Sequence, residues 1–156
     1  MNVAGIDQSL TSTGLVVLND EGLIQATKLI EKKPTVPAVK RMLDISTEIM
    51  DTLDEYGVKH VAIEGFGFGA RGRAVFDLGG LGFIIRAILY QHDIQTDEVP
   101  PTVLKKFVTG KGNCHKDLML LKVYKRWGVE FTSHDLADAY GLSRYVLQHY
   151  NKELDK

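Results

Sequence analysis

Val3-Ala4-Gly5-Ile6-Asp7-Gln8-Ser9-Leu10-Thr11-Ser12-Thr13-Gly14-Leu15-Val16-Val17-Leu18 decides the fold of this chain. Its first part is apolar on both faces of an extended backbone, so 2–8 reads as a central strand. Gly14 to Leu18 reads as a second strand. Asn19-Asp20-Glu21-Gly22 is a turn by composition. Residues 23–30 form a third strand, giving an antiparallel meander that Lys32-Lys33-Pro34 ends. The first strand closes on a carboxylate, and a carboxylate at a buried strand end is costly to desolvate unless something pairs with it.

Beyond the meander the period changes. Met42, Ile45, Ile49, Leu53 and Tyr56 recur at helical spacing over 36–56, with Thr35 as N-cap, Pro37 in the first turn and Gly57 as the stop. A fourth strand covers 58–64 and again ends on an acid, Glu64. A loop rich in glycine and arginine follows, Gly65 to Arg73. An apolar helix spans 75–92, weakened by Gly79, Gly80 and Gly82 unless something packs close to them. A short strand at 94–99 leads through Pro100-Pro101 into a helix to Val108, and a loop covers Thr109 to Cys114. The helix at 115–127 is expected to turn Leu120, Leu121, Tyr124 and Trp127 to one side. Ser133 caps a final helix to about Tyr150, with Leu136, Tyr140, Ser143 and Leu147 facing in. The order βββαβαβααα predicts a single α/β domain over 1–156. Its mixed five-stranded sheet has three antiparallel strands, then two parallel ones, flanked by helices.

Composition narrows the function classes. The 156 residues are 44% hydrophobic and 25% charged, ordinary for a globular chain. The lone Cys114 excludes an internal disulfide framework and fits a reducing compartment. No secretory signal is read at the N-terminus, and no stretch is read as approaching the ~20 apolar residues of a bilayer span. The expectation is a cytoplasmic protein without a membrane partner. A net charge of −1 points away from a polyanion, but its distribution does not. Between Pro101 and Gly128, Lys105, Lys106, Lys111, Lys116, Lys122, Lys125 and Arg126 face the single acid Asp117, a local charge of +6. Such a patch suits a nucleic acid.

Four acids then acquire a common reading. Parallel strands joined by the helix at 36–56 would set Asp7 and Glu64 side by side at the carboxyl edge of the sheet, where α/β folds bind ligands. Asp135 and Asp138, three apart in the first turn of the last helix, share a face. Four carboxylates sharing two divalent cations would relieve one another's burial. Two ions roughly 3.5–4 Å apart can clamp the attacking and leaving oxygens of a phosphodiester. Magnesium, with its preference for oxygen ligands, is the expected ion and Mn2+ a substitute.

The motifs resemble a known family. Gly5-Ile6-Asp7-Gln8-Ser9-Leu10-Thr11-Ser12-Thr13-Gly14, Ala62-Ile63-Glu64 with its glycine-bearing aromatic loop, Leu78-Gly79-Gly80-Leu81-Gly82, the segment Lys105 to Lys116, and Asp135-Leu136-Ala137-Asp138-Ala139 follow the order of the RuvC-type Holliday junction resolvases of the RNase H-like superfamily. The resemblance implies Asp7, Glu64, Asp135 and Asp138 as the metal-binding catalytic set, with Lys105 and Lys116 at basic positions that contact DNA or, for Lys116, assist catalysis. It also implies a homodimer built partly on the helix at 75–92, paired nicking of a four-way junction, and 5′-phosphate and 3′-hydroxyl ends. The compact form and the loop after Glu64 resemble phage-encoded members, which would act in the host cytoplasm.

The same loop supplies further DNA candidates. Phe66 and Phe68 could stack on unpaired bases, and Arg71 and Arg73 could reach phosphates, as could Lys106 and Lys111. His134 reads as a surface residue of a helix start. Other functions stay open at this stage. A flap or branch nuclease, or an RNase H, would use the same metal chemistry. An actin-like nucleotide-binding module would instead cradle a phosphate in the hydroxyl-rich turn after Asp7.

Overall fold

The computed structural model describes residues 1–66 and 72–154. Strands β1 (Asn2–Asp7), β2 (Ser12–Asn19) and β3 (Ile24–Glu31) form the meander, followed by α1 (Ala38–Glu55), β4 (His60–Glu64), α2 (Arg73–Gln91), β5 (Gln95–Val99), α3 (Pro101–Thr109), α4 (Lys116–Trp127) and α5 (His134–Leu154). The sheet order is β3-β2-β1-β4-β5. β1 and β2 are antiparallel, as are β2 and β3, while β4 runs parallel to both β1 and β5. This is the expected mixed sheet.

Two apolar layers sandwich it, and strand alternation decides what each receives. Ala4, Ile6, Leu15, Val17, Val61 and Ile63 face one cluster with Ile45, Ile49 and Leu53 of α1 and Leu81, Ile85 and Leu89 of α2. Val3, Val16, Leu18 and Ala62 face the other, with Leu104, Val108, Met119, Val123 and the α5 residues Ala139, Tyr140, Leu142 and Val146. The same parity turns Asp7 and Glu64 toward α5 and Gln8 toward α2.

Helix α5 lies hard against the sheet because β1 and β2 each offer it a glycine. A Cβ on Gly5 would fall 2.1 Å from the Ala139 carbonyl oxygen, and one on Gly14 would fall 2.3 Å from that of Asp135. The buried Ser143 hydroxyl donates to the Val16 carbonyl at 2.8 Å and fixes the contact. The first turn of α5 is thereby seated at the carboxyl end of β1.

Several boundaries differ from expectation for local reasons. α1 begins at Ala38 after the N-cap Pro37, without a side-chain cap from Thr35. The residue before a proline avoids helical geometry, so Val36 stays outside. β2 starts at Ser12 because Ser12 and Thr13 pair with Glu31 and Ile30. On α4 the buried residues are Met119 and Val123, with Leu120 and Trp127 packed beside them. Leu121 and Tyr124 are instead exposed. At about 100° per residue those two fall outside the stripe that the other four form. α2 also corrects the bilayer reading: its 19 residues are long and apolar enough to cross a membrane by length and composition alone. It rests on the α1 side of the sheet through Leu81, Ile85 and Leu89.

Candidate active site

In register, Ile6 pairs with Ile63, so Asp7 and Glu64 emerge as neighbours from parallel strands. Asp138 descends from α5 onto the pair. Each of the three offers an oxygen within 4.8 Å of the others. Burial raises the Asp7 carboxyl well above its ordinary value, helped by proton sharing with Glu64 and by the charges of Glu64, Asp138 and Asp135. Asp138 is pushed up to about 7, by burial first and then by the charges of Glu64 and Asp135. Lys116 and Lys105 pull in the opposite sense, which places both cations near the cluster. Oδ1 of Asp138 is buried and, among the described residues, has no hydrogen-bond partner. An all-oxygen donor set holding an orphaned carboxylate oxygen and surplus negative charge fits a hard divalent cation.

Asp135 is placed differently from the other three. Its Oδ2 accepts a hydrogen bond from the Ser12 hydroxyl at 2.6 Å, and it is not one of the three acids whose oxygens gather. A network of short-range bonds sets Ser12: the Ser9 hydroxyl accepts from the Ser12 backbone N–H, and Thr13 Oγ1 donates to the Ser9 carbonyl at 2.6 Å. The hydroxyl-rich turn is thus knitted to itself and to α5. Sequence reasoning noted its hydroxyls only as a phosphate cradle. The available signal was the serine two positions before Gly14, on the strand face that meets the helix.

The basic candidates divide. Lys116 opens α4 and Lys105 lies on α3, both acting on Asp138. Lys106 and Lys111 are exposed. Lys106 lines a shallow groove of about 510 Å3 with Thr102, Val103, Phe107 and Gly112. Thr109 Oγ1 accepts from the Lys111 N–H at 3.1 Å and steadies the loop. His134 meets Asp117 at 3.0 Å, tying the start of α5 to the start of α4, beside Lys116. That hydrogen bond holds the Asp117 carboxyl below its usual range, and the charge of His115 adds to it. Arg73 is the first residue of α2 rather than a loop residue, because Gly72 at φ 76° makes the turn into the helix. Phe68 and Arg71 lie outside the described residues, as does most of the loop on which the likeness to phage members was read.

Phe66 is 36% exposed and lies on the α2 side of the sheet, 5.9 Å from the ring of Phe83 and 4.9 Å from the Arg86 guanidinium. Gln8 extends from the same face, its amide donating to the Glu64 carbonyl at 3.0 Å. Neither Arg86 nor Gln8 was singled out from sequence. The signal for Arg86 was a cation in the interior of an apolar helix, four residues after a glycine.

A sheet of order 3-2-1-4-5 with acids converging from its two central strands and the last helix defines a nuclease of the RNase H-like class. The profile described as crossover junction endodeoxyribonuclease RuvC matches residues 3–143, and the chain belongs to that family. A RuvC from Ehrlichia canis is 27% identical over 142 residues, covering 89% of this chain and 91% of that protein. One from Rhodopseudomonas palustris is 27% identical over 128 residues, covering 79% and 74%. Among solved structures, Thermus thermophilus RuvC superposes with a TM-score of 0.81 at 21% identity, covering 99% of this chain and 97% of that one. At that identity the likeness speaks for the fold alone.

Proposed function

We propose that the chain resolves four-way DNA junctions as a homodimer, each subunit nicking one strand to leave 5′-phosphate and 3′-hydroxyl ends. The observation that carries this reading is the convergence of Asp7, Glu64 and Asp138, with an unpartnered Asp138 oxygen among them. These three would hold the cations, two Mg2+ ions or Mn2+ in their place, and Asp135 would complete the set. Bound cations supply the positive charge that activates water and neutralises the leaving oxygen. Lys116 and Lys105 offset the charge of the scissile phosphate from the α4 and α3 side. Phe66 meets bases at the opened crossover, where stacking is worth ~1–3 kcal/mol per base. Arg73, Lys106 and Lys111 follow the backbone.

The dimer reading rests on α2. Phe76, Phe83 and Tyr90 are 79%, 67% and 84% exposed and stand seven residues apart, a stripe down one side of the helix. A second copy of the same stripe would cover it by an isologous contact. The compartment that suits such an enzyme is the cytoplasm, or the host's for a phage-encoded protein.

The test is to incubate the protein with a synthetic four-way junction and with matched flap, Y-form and linear duplex, with and without Mg2+. Symmetric nicks confined to the four-way junction support resolution. Equal cutting of flaps would favour a general branch nuclease.

A further inference from the structure

Beneath Phe66 lies a group that takes no part in the hydrolysis described above. The Arg86 side chain is 18% exposed. Among the described residues, neither its Nη1 nor its Nη2, both buried, has a hydrogen-bond partner. Glu98 approaches Nη2 at 3.1 Å, so an opposite charge is near, yet no hydrogen bond is formed. The guanidinium sits 4.9 Å from the Phe66 ring centre and 6.0 Å from that of Phe83. A buried cation whose nitrogens lack acceptors is anchored chiefly by the ring faces it lies against and by the nearby carboxylate.

Gly82 is the floor of this arrangement. A Cβ there would fall 2.7 Å from Arg86 Nη1, 2.8 Å from Gln8 Oε1 and 2.9 Å from Phe66 Cζ. Three side chains from three segments therefore converge where α2 has no side chain. Gln8 passes the contact on, because its amide nitrogen grips the carbonyl of Glu64. Glu98 closes the far side by lying over Gly65, where a Cβ would meet its Oε1 at 3.1 Å.

We propose that Arg86 is a positioning residue: it holds the Phe66 ring at a fixed place relative to Glu64, so that the base-stacking aromatic and the metal-binding strand end move as one unit. The proposal rests on the base-stacking reading of Phe66 for its consequence in cleavage, but the placement itself is a property of the free protein. Without Arg86 the ring loses its seat, DNA is bound as before, and the crossover is opened less often.

Two measurements test it. In the first, 3-fluorophenylalanine is placed at position 66; the meta site is chosen because the para carbon faces Gly82. The fluorine resonance of the free protein is then compared with Arg86→Met and Arg86→Lys, all with matching circular dichroism. Arg86→Met moves the resonance toward that of a solvent-exposed ring, and Arg86→Lys restores it in part. An unmoved resonance in Arg86→Met overturns the proposal.

In the second, single-turnover cutting of a four-way junction and 2-aminopurine fluorescence at its exchange point (in EDTA) are measured for Phe66→Ala, Arg86→Met and the double variant. Arg86→Met lowers both cutting and unstacking, cutting by roughly tenfold, the size expected for a desolvated cation–ring contact. Its Kd for the junction stays within about twofold, as expected when only the step after binding is impaired. The double variant is no worse than Phe66→Ala. Losses that multiply in the double variant would overturn the coupling. Wild-type cutting by Phe66→Ala would instead refute the base-stacking reading, and the fluorine shift would still decide whether Arg86 sets the ring.

Discussion

Stripped of divalent cations, the protein should grow less stable as pH rises, through Asp138 and Asp7 together. An unfolded chain titrates the Asp138 carboxyl at its ordinary 3.8, whereas the folded one holds its proton to about 7. The native state therefore binds the proton more tightly. The stability this supplies is fully present below 3.8 and is lost as pH climbs through 7. At about 1.4 kcal/mol per pH unit the loss reaches about 4 kcal/mol. For a domain of this size that is on the order of 10 °C in Tm. The four carboxylates interact, so the proton belongs to the cluster and the transition is broad. Asp7 is shifted in the same direction, chiefly by burial, and adds to the slope. Thermal unfolding in EDTA from pH 4.5 to 8.5 is the assay. Asp138→Asn should flatten much of the pH dependence and raise the Tm at pH 8 above wild type. Millimolar Mg2+ should then restore wild type at pH 8 and do far less for the variant, because only a native-state ligand site stabilises on binding. A wild-type Tm in EDTA that does not fall between pH 5 and 8, or an Asp138→Asn protein less stable than wild type at pH 8, would refute the reasoning.

Other expectations follow from individual contacts. Asp7→Asn should abolish cleavage while the Kd for a four-way junction, measured in EDTA, stays near wild type; turnover by that variant would contradict the metal assignment. Ser12→Ala removes the hydroxyl that aims Asp135 and should weaken Mn2+ affinity by ~10-fold, read by calorimetry, as for other outer-sphere partners of metal ligands. Lys105→Ala and Lys116→Ala should each flatten the slope of log K against log salt by roughly 0.9, since one fewer counterion is released; unchanged slopes would remove both from the DNA surface. Gly14→Ala drives a methyl into the Asp135 backbone and should cost ~1–3 kcal/mol in denaturant unfolding, as overpacking does.

The central strands were legible because their patterns are unambiguous. Val3 to Ile6, Leu15 to Leu18 and Val61 to Ile63 are apolar on both faces, and strands buried on both faces demand such runs. Parity along them was enough to bring Asp7 beside Glu64. The finer placements depend on packing that periodicity does not encode. Asp135 and Asp138 share a helix face, yet only the height of α5 above Gly14 and the reach of Ser12 separate their surroundings. On α4, Tyr124 and Met119 look equally fit for burial by type, and the angle of the stripe alone sends Tyr124 outward. Arg73 looked like a loop cation until Gly72 made it the start of a helix. Arg86 was hidden because a cation in the interior of an apolar helix carries no motif, and its partners Gln8, Phe66 and Glu98 come from distant segments.

Asp7 ends β1 and Gln8 follows it, and the two side chains go to opposite faces of the sheet. Asp7 hangs toward α5 and the acidic cluster, and Gln8 hangs toward α2 and Phe66. On the proposed function, the sheet separates the acids that would cut a strand from the aromatic that would read its shape. On the same reading, a substitution on the α2 side changes how branched DNA is held, and it reaches the acids only through Gln8 and its hold on the Glu64 carbonyl.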